Sequence, residues 1–236
     1  MRLAIIGNGA MGKLVRALAE AEGHEVARVV TSRDSSLTLD ELVEHLRGHD
    51  AAIDFSIAAA VLKNIEAAAR ASVPLVEGTT GWNAQEAEAR RIVEAHAGAL
   101  LYGANFSIGV NLFYRIVARA AELFAATDYA PFITEAHHAR KRDAPSGTAL
   151  KLRDVLAASL ARDIPVTSTR AGHIPGTHTV GFDAAADQIT LTHTARTREG
   201  FAAGSLLAAR WLKDRRGVYE FSDAIDEMIK AVNRES

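Results

Sequence analysis

The chain opens with Arg2-Leu-Ala-Ile-Ile-Gly-Asn-Gly-Ala-Met-Gly12, an apolar run followed by a glycine-rich turn. The apolar run predicts a buried strand, and the alanine-rich residues after the glycines predict a helix. In this G-x-G-x-x-G pattern Gly7 permits a tight turn, Gly9 lets the backbone approach a pyrophosphate, and Gly12 lets helix and strand pack closely. Val26–Val30 follows as a second apolar strand. The stretch therefore predicts a dinucleotide-binding domain of the Rossmann type.

The residues after the second strand, Thr31-Ser-Arg-Asp34, indicate which dinucleotide binds. An NAD site often carries an acid about twenty residues past the glycines, where it bonds the ribose 2′-hydroxyl. Ser32 stands at that place, and Arg33 could pair with a 2′-phosphate. This favours NADPH. Asp34 could still reach the ribose, which leaves NADH use open, and Arg33 could instead simply face solvent.

Strands and helices continue to alternate up to residue 102, which predicts a doubly wound parallel sheet. Ligands of such sheets bind at the carboxyl ends of the strands. Two polar or glycine-rich segments lie at those ends and suit contacts to the nicotinamide half of a dinucleotide: Gly78-Thr79-Thr80 and Ala104-Asn105-Phe106-Ser107.

After Ser107 the pattern changes to long helices and strands with alternating apolar and polar residues. It predicts an α+β domain with an open antiparallel or mixed sheet, and such a sheet offers a face for self-association. We therefore expect a dinucleotide-binding domain at 1–107 and a substrate-binding and oligomerisation domain at 108–213. A tail from about 214 to 236 is expected to return to the first domain.

A charged connection between a strand and a helix of this second domain reads Glu135-Ala-His-His-Ala-Arg-Lys-Arg-Asp-Ala-Pro-Ser-Gly-Thr-Ala149. Ser146 after a proline is a good helix start, with Gly147 and Thr148 in the first turn. The N–H groups of a helix start favour an anion, helped by the helix dipole. The connection therefore indicates a pocket for a small carboxylate-bearing substrate.

The same connection carries groups that can handle a proton. Lys141 adds positive charge beside the helix start, and histidines such as His137 and His138 can hold or donate a proton. If the strand continues through His138, the two histidines point to opposite faces, so we expect no shared metal ion. The alternative interpretation is a basic surface loop with incidental histidines. The remaining second-domain histidines are expected to be structural: His173, His178 and His193.

Composition limits the kind of protein further. The 236 residues are 48% hydrophobic and 24% charged, which is typical of a globular protein. The net charge of -2 argues against a nucleic-acid-binding protein, which would usually be more basic. Without cysteine, disulfides and thiolate chemistry are excluded. The start is too short for a signal peptide, and no apolar run approaches transmembrane length. We expect a cytoplasmic protein without membrane or nucleic-acid partners.

Together the motifs resemble the dihydrodipicolinate reductase family of the bacterial and plant lysine pathway. The resemblance covers essentially the whole chain and is most specific at residues 135–149. The other matching motifs are Gly7–Gly12, Glu77-Gly-Thr-Thr-Gly81 and Asn105-Phe-Ser-Ile-Gly-Val-Asn111. It implies NAD(P)H-dependent reduction of 4-hydroxy-tetrahydrodipicolinate, via dihydrodipicolinate, to tetrahydrodipicolinate in diaminopimelate and lysine biosynthesis.

The resemblance also implies roles for individual residues. His137 would be the catalytic acid/base and Lys141 the proton donor. His138, Gly147 and Thr148 would bind the dicarboxylate substrate, and Ser146 would help to hold a carboxylate. Cofactor contacts would come from Gly7, Asn8, Gly9, Ala10, Met11, Gly12, Ser32, Arg33, Gly78, Thr79, Thr80, Ala104, Asn105, Phe106 and Ser107.

Two further expectations follow from the resemblance. Many members carry an acid where this chain has Ser32, so the departure favours NADPH over NADH. The family is commonly tetrameric through the sheet of its second domain, which implies a homotetramer here. Two other functions stay open: another two-domain NAD(P)-dependent amino-acid or semialdehyde dehydrogenase, and a non-catalytic dinucleotide sensor.

Overall fold

The computed structural model describes residues 1–235, with side chains as far as residue 231. The chain forms two compact units, each with its own sheet. One unit contains Met1–Ser107 and the chain from Arg198 onward, and the other contains Ile108–Thr197. Among the described residues, no helix has both the length and the apolar character needed to cross a membrane.

Strands and helices alternate through the first part of the chain. In order they are β1 (Arg2–Ile6), α1 (Ala10–Ala21), β2 (Glu25–Val30), α2 (Leu39–Leu46), β3 (Ala51–Asp54), α3 (Val61–Arg70), β4 (Leu75–Glu77), α4 (Glu86–Ala95) and β5 (Ala99–Tyr102). The second unit follows with α5 (Ile108–Phe124), β6 (Ala130–His137), α6 (Gly147–Leu160), β7 (Val166–Arg170), β8 (Thr177–Asp183) and β9 (Gln188–Thr194). The chain then ends with α7 (Glu199–Leu212), β10 (Gly217–Glu220) and α8 (Phe221–Glu235).

The first unit is built on a six-stranded parallel sheet in the order β10-β5-β4-β3-β1-β2. Helices cover both faces of such sheets, which is why the strands read as continuous apolar runs. Leu3, Ala4 and Ile5 are 0% exposed. The chain reverses direction across the sheet between β1 and β3, and ligands of doubly wound folds bind at this kind of switch point. The predicted α/β fold with a parallel sheet is confirmed.

Helix α2 was not predicted, although the sequence carries a signal for its start. Thr38 and Glu41 form a capping box: Thr38 Oγ1 accepts a hydrogen bond from the Glu41 N–H at 3.2 Å, and Glu41 Oε2 accepts one from the Thr38 N–H at 2.7 Å. A Thr-x-x-Glu sequence before apolar residues is a signature of a helix N-terminus.

Helix α7 belongs to the first unit, so the expected domain boundary near residue 213 is wrong, and the boundary lies at residues 197 and 198. Most of α7 is buried, including Ala202, Leu206 and Ala209, at 0% exposure each. Gly204 allows the close fit, because a Cβ there would lie 1.8 Å from the carbonyl oxygen of Phe106. A helix that is apolar on nearly every side has to be enclosed, and the first unit encloses it.

The second unit contains a four-stranded mixed sheet in the order β7-β6-β8-β9, in agreement with the predicted open mixed or antiparallel sheet. Strands β6 and β7 are parallel, and the pairs β6–β8 and β8–β9 are antiparallel. One face packs on helices α5 and α6 through apolar side chains that include Ile133, Val180, Phe182, Leu152 and Leu156. The opposite face carries exposed threonines: Thr134, Thr167, Thr169, Thr190, Thr192 and Thr194.

Candidate active site

The turn after β1 contains three glycines, and each position is a glycine for a different reason. Gly7 has a φ of +97°, and a Cβ there would lie 2.4 Å from the carbonyl oxygen of Phe55. A Cβ on Gly12 would lie 2.0 Å from the carbonyl oxygen of Gly7. Gly9, by contrast, has nothing within 4 Å of the position of a Cβ. The fold therefore explains Gly7 and Gly12, whereas Gly9 leaves space for a molecule outside the chain.

Helix α1 begins directly at this space. Gly9 is its N-cap residue and offers no side chain to bond the first N–H groups. The first turn contains Ala10, Met11 and Gly12 and has no acidic residue. Free N–H groups and the positive end of the helix dipole make such a start an anion site. The geometry therefore fits the pyrophosphate of a dinucleotide.

A cavity of about 730 Å³ extends from the glycine turn to the end of β2. Asn8, Ser32, Arg33 and Lys63 line it, so it holds two cationic side chains. Its size lies within the range of cofactor and ligand pockets. Ser32 and Arg33 are exposed and line this cavity, and their contact with the ribose end of a cofactor stays a prediction.

Asp34 is less available for a ribose than the sequence suggested. Its Oδ2 accepts hydrogen bonds from the Thr31 N–H at 2.8 Å and the Thr31 hydroxyl at 3.0 Å, and its Oδ1 accepts one from Arg28 at 3.3 Å. The backbone and side-chain hydrogen bonds of Thr31 lower the pKa of Asp34. The carboxylate therefore stabilises the local turn, and Arg33 is the charged side chain of this loop that can bind a phosphate.

Two buried acids lie beneath the loops that follow β3 and β4. Asp54 accepts hydrogen bonds from the Ser56 N–H and from Asn64, both at 2.7 Å, and Glu77 accepts one from the Thr79 N–H at 2.7 Å. The Ser56 N–H also donates to Thr79 Oγ1 at 3.1 Å, which ties the two loops together. Asp54, Glu77 and Asn64 were not predicted as site residues. The acids hold in place the loop that contains Thr79 and Thr80.

The segment after β5 lies partly in the core. Phe106 is 2% exposed, and its ring packs on Phe55 and Phe221 with centroid distances of 6.1 and 4.7 Å. Any contact of Phe106 with a cofactor would therefore use its backbone. The Ser107 N–H donates to Asn105 Oδ1 at 2.9 Å. Ala104 is exposed. In the loop after β4, residue 78 has to be a glycine, because a Cβ there would lie 2.2 Å from the Phe55 ring.

In the second unit, the charged connection begins with a buried ion pair. Glu135 is 3% exposed, and its Oε1 accepts a hydrogen bond from Arg170 of the neighbouring strand β7 at 2.7 Å. Its Oε2 contacts Nδ1 of His137, two residues along the same strand. Burial alone would raise the pKa of Glu135, but hydrogen bonds from Arg170, Ser168 and His137 outweigh burial and lower that pKa to about 2. Glu135 is therefore an anion beside His137.

His178, which was expected to be structural, lies in the same cluster. Its ring centroid is 5.0 Å from that of His137, and its Nε2 lies 3.0 Å from the hydroxyl oxygen of Ser146. Burial first, and then the charge of the nearby His137, lower the pKa of His178 to about 4, so the ring is neutral at neutral pH. Only the antiparallel pairing of Glu135 with His178 brings this residue to the site, and a local sequence pattern does not show that pairing.

Ser146 caps helix α6, as predicted, and its hydroxyl oxygen accepts the Ala149 N–H at 3.3 Å. Because Ser146 is 2% exposed and also bonds His178, its hydroxyl is engaged within the protein. Gly147 is exposed in the first turn, and Thr148 follows it. The N–H groups of these two residues have no acceptor within the helix, so this helix start is able to bind an anion.

Lys141 and His138 belong to the same charged connection. Lys141 Nζ pairs with Asp143 at 2.9 Å, and its side chain is 25% exposed. Its charge contributes to lowering the pKa of His137. Nδ1 of His138 is buried and has no hydrogen-bond partner among the described residues. The role of His138 in binding a substrate stays a prediction.

Three side chains here could each offer one atom to a metal ion: Glu135, His137 and His178. The same carboxylate already binds the guanidinium of Arg170. A metal cation would have to compete with that guanidinium and with the proton on His137. The cluster is therefore better described as a hydrogen-bonded acid and imidazole pair than as a metal centre.

A dinucleotide cradle in one unit and a histidine and lysine loop at a helix start in the other define a two-domain, nicotinamide-dependent oxidoreductase. The family model described as dihydrodipicolinate reductase, N-terminus, matches residues 1–106, and the one described as dihydrodipicolinate reductase, C-terminus, matches residues 109–225. The chain therefore belongs to the dihydrodipicolinate reductase family, as its resemblance predicted, and its cofactor is a nicotinamide dinucleotide.

Individual relatives agree with this assignment. The chain is 34% identical to the 4-hydroxy-tetrahydrodipicolinate reductase of Christiangramia forsetii over 98% of this chain and 100% of that protein. It is also 34% identical to the enzyme of the same name from Archaeoglobus fulgidus, over 96% and 100% of the two chains.

Solved structures share the fold. A dipicolinate-bound dihydrodipicolinate reductase from Paenisporosarcina sp. superposes with a TM-score of 0.77 at 22% identity, covering 93% of this chain and 97% of that one. A probable dehydrogenase from Thermotoga maritima gives a TM-score of 0.61 at 9% identity, covering 100% and 98%. At these identities the comparison concerns the architecture alone.

Proposed function

We propose that this chain reduces 4-hydroxy-tetrahydrodipicolinate, via dihydrodipicolinate, to tetrahydrodipicolinate with NADPH, in diaminopimelate and lysine biosynthesis. Membership of the family and the close match in length to the named reductases support the reaction. The finer assignments of cofactor and residue roles rest on the geometry of the two units. The cytoplasmic location expected from the sequence stays a prediction.

The observation that carries the proposal is the convergence of proton-handling and anion-binding groups at the start of α6. His137 lies beside His178, which bonds the N-cap residue Ser146. The charge of Lys141 reaches both imidazoles. One small region thus offers a cation, an imidazole and the free N–H groups of a helix start. A small dicarboxylate that gains a proton needs these groups.

Each group has a distinct task in the proposed reaction. When bound, the nicotinamide dinucleotide supplies the hydride for the conjugated imine of the substrate. The N–H groups of Gly147 and Thr148 hold one carboxylate, and His138 contributes to holding the other. Lys141 stabilises the negative charge that develops on the substrate and supplies a proton to it. His137 acts there as an acid/base that exchanges a proton with the substrate.

NADPH is the preferred cofactor in this proposal. Arg33 lines the cavity at the ribose end, whereas the carboxylate of Asp34 is engaged by Thr31 and Arg28. A guanidinium there attracts a 2′-phosphate, and no acid of this loop is left to bond a 2′-hydroxyl. NADH use at higher concentration is compatible with the same site.

We also propose that four copies assemble through the open face of the second-unit sheet. That face consists of exposed threonines, and cross-strand pairs such as Thr179–Thr192, whose hydroxyl oxygens lie 3.0 Å apart, order it. An exposed and ordered face of this kind suits symmetric self-association. Light scattering coupled to size-exclusion chromatography should give four times the chain mass, and Thr192→Lys should reduce it.

The test of the reaction is an assay coupled to the preceding aldol condensation, because the hydroxylated substrate is expected to be short-lived. Oxidation of NADPH and of NADH is followed separately in the presence of the condensing enzyme. Substrate-dependent oxidation of NADPH is the expected result. Turnover with amino acids or semialdehydes instead would identify another dehydrogenase, and tight dinucleotide binding without turnover would identify a sensor.

A further inference from the structure

A buried carboxylate lies directly behind the imidazole of His137. Glu135 and His137 point to the same face of β6, and the register places Ser168 beside Glu135 and Arg170 beside His137. Arg170 binds the carboxylate at 2.7 Å and also donates to the carbonyl oxygen of Asp143 at 2.5 Å. The carboxylate is thus held from one side by a guanidinium and contacts Nδ1 of His137 on the other.

The ionised carboxylate decides which nitrogen of His137 carries the proton. With a pKa of about 2, Glu135 is an acceptor only at neutral pH. Nδ1 must therefore be the donor of their hydrogen bond, and Nε2 of the neutral ring keeps its lone pair. Burial lowers the pKa of His137, so this neutral ring is its form at neutral pH.

Nε2 faces a position that has no side chain. A Cβ on Gly176 would lie 3.2 Å from Nε2 of His137, and Gly176 has a φ of +141°. A larger residue would therefore crowd Nε2, and the glycine leaves that nitrogen open. Nε2 is therefore the proton-accepting atom of His137, and the Glu135 carboxylate, which contacts Nδ1 on the other side of the ring, fixes the direction in which Nε2 points.

We propose that Glu135 is a positioning residue for His137. Supported by Arg170, its carboxylate fixes the Nδ1–H form of the imidazole and stabilises the imidazolium that forms when Nε2 takes up a proton. An acid behind a catalytic imidazole has this effect in general, because it selects the tautomer and favours the charged ring. The proposal rests on the proposed role of His137 in the reduction.

The proposal predicts the direction in which each neighbouring charge shifts the pKa of His137. Glu135 faces the ring from its own strand, Arg170 from β7, His178 from β8 and Lys141 from the connection after β6. Glu135 raises the pKa of His137, against burial and the two cations. Removing the carboxylate charge should therefore lower that pKa, and removing the charge of Arg170 should raise it. These opposite shifts test the charges that act on the ring, and the fall in kcat at an unchanged KM separates positioning from a purely structural role.

The experiment is a ¹⁵N NMR titration of the histidine side chains in the full-length protein, with the His137 signals assigned by their loss in His137→Asn. Glu135→Gln, Glu135→Asp and Arg170→Met are compared with the wild type. Glu122→Gln is the matched control, since Glu122 is an exposed acid of α5 that pairs with Arg119. Circular dichroism and dinucleotide titration show whether each variant is folded.

The wild type should show the Nδ1–H form. Glu135→Gln should lower the His137 pKa by roughly one unit or more, Arg170→Met should raise it, and Glu135→Asp should retain most of the wild-type behaviour. In the coupled assay, kcat of Glu135→Gln should fall roughly tenfold or more while the KM for NADPH stays unchanged. If Glu135→Gln does not fold, the direction of the shift in Arg170→Met decides.

Two results would overturn the proposal: an Nε2–H form in the wild type, or His137 pKa values that do not move in the folded variants. The NMR readout does not depend on turnover. Absence of reductase activity in the wild type would therefore refute the proposed function alone, and the tautomer would still test the role of Glu135.

Discussion

Asp54 and Glu77 are register partners at the ends of neighbouring parallel strands, and both are 0% exposed. Burial raises the pKa of Asp54, and burial together with the charge of Asp54 raises the pKa of Glu77 to about 10. Two carboxylates cannot both be ionised at such a place. The pair therefore shares one proton at neutral pH, and a neutral Glu77 donates to the Asp54 carboxylate.

We predict that Glu77→Gln becomes more stable relative to the wild type as the pH rises. In the wild type, folded Glu77 keeps a proton that the unfolded chain releases above the ordinary carboxyl pKa. The stability that it contributes is complete below that value and declines as the pH rises towards 10. The amide of glutamine has no such proton to lose and can still donate to Asp54.

The measurement is the free energy of unfolding of both proteins by urea between pH 5 and pH 9. The difference should change in favour of Glu77→Gln, on the order of 1 kcal/mol per pH unit. Glu88→Gln, at a partly exposed acid of α4 that pairs with Arg91, is the control and should show no such trend. A constant difference between Glu77→Gln and the wild type would contradict the shared proton.

For Arg33→Ala we expect a larger rise in the KM for NADPH than in the KM for NADH. A hydrogen bond to a charged group contributes about 1.5–3 kcal/mol, so the NADPH value should rise roughly tenfold or more. Arg47→Ala removes an exposed arginine of the same unit that pairs with Glu44 and should change neither KM. Equal effects of Arg33→Ala on the two cofactors would exclude a contact with the 2′-phosphate.

Lys141→Ala and His137→Ala should each lose most of the turnover, by roughly 10²–10⁴-fold, and still bind NADPH. Lys141 is the expected proton source, because His137 is a neutral ring at neutral pH. Added methylamine should therefore partly restore Lys141→Ala and leave His137→Ala inactive. The exposed Lys151 of α6 provides the control Lys151→Ala. Wild-type turnover in either active-site variant would show that its assigned role is wrong.

The parts of the fold that follow from local sequence could be predicted. Strand β1, the glycine turn and the Ser146 helix start all depend on residues close together in the chain, where spacing alone is informative. The assignment of α7 to the first unit was not predictable in this way. It depends on which distant surface encloses the helix, and its apolar residues would suit the core of either unit.

The candidate site shows the same division. His137 and Lys141 stand in one continuous motif, which could be recognised in the sequence. His178 comes to His137 through the pairing of β6 with β8, and Asp54 comes to Glu77 through the pairing of β3 with β4. Such pairs are separated by many residues, and only the strand register brings them together. The engagement of the Ser146 hydroxyl by His178 was hidden for the same reason.

The two glycines at either end of the first helical turn should respond in opposite ways to alanine. Gly9 has a φ of −74°, which alanine adopts readily, and nothing lies within 4 Å of its Cβ position. Gly9→Ala should therefore keep the melting temperature of the wild type and weaken NADPH binding by about tenfold or more, or about 1.4 kcal/mol, because the methyl group occupies the space of the pyrophosphate.

Gly12→Ala should instead reduce stability, since its methyl group would lie 2.0 Å from the carbonyl oxygen of Gly7. Overpacking of this kind costs about 1–3 kcal/mol, or roughly 2–10 °C in melting temperature for a chain of this size. Calorimetry gives the stability and fluorescence titration with NADPH gives the affinity. If Gly9→Ala bound NADPH as tightly as the wild type, the pyrophosphate would not lie at the start of α1, and the cofactor site would have to be placed elsewhere.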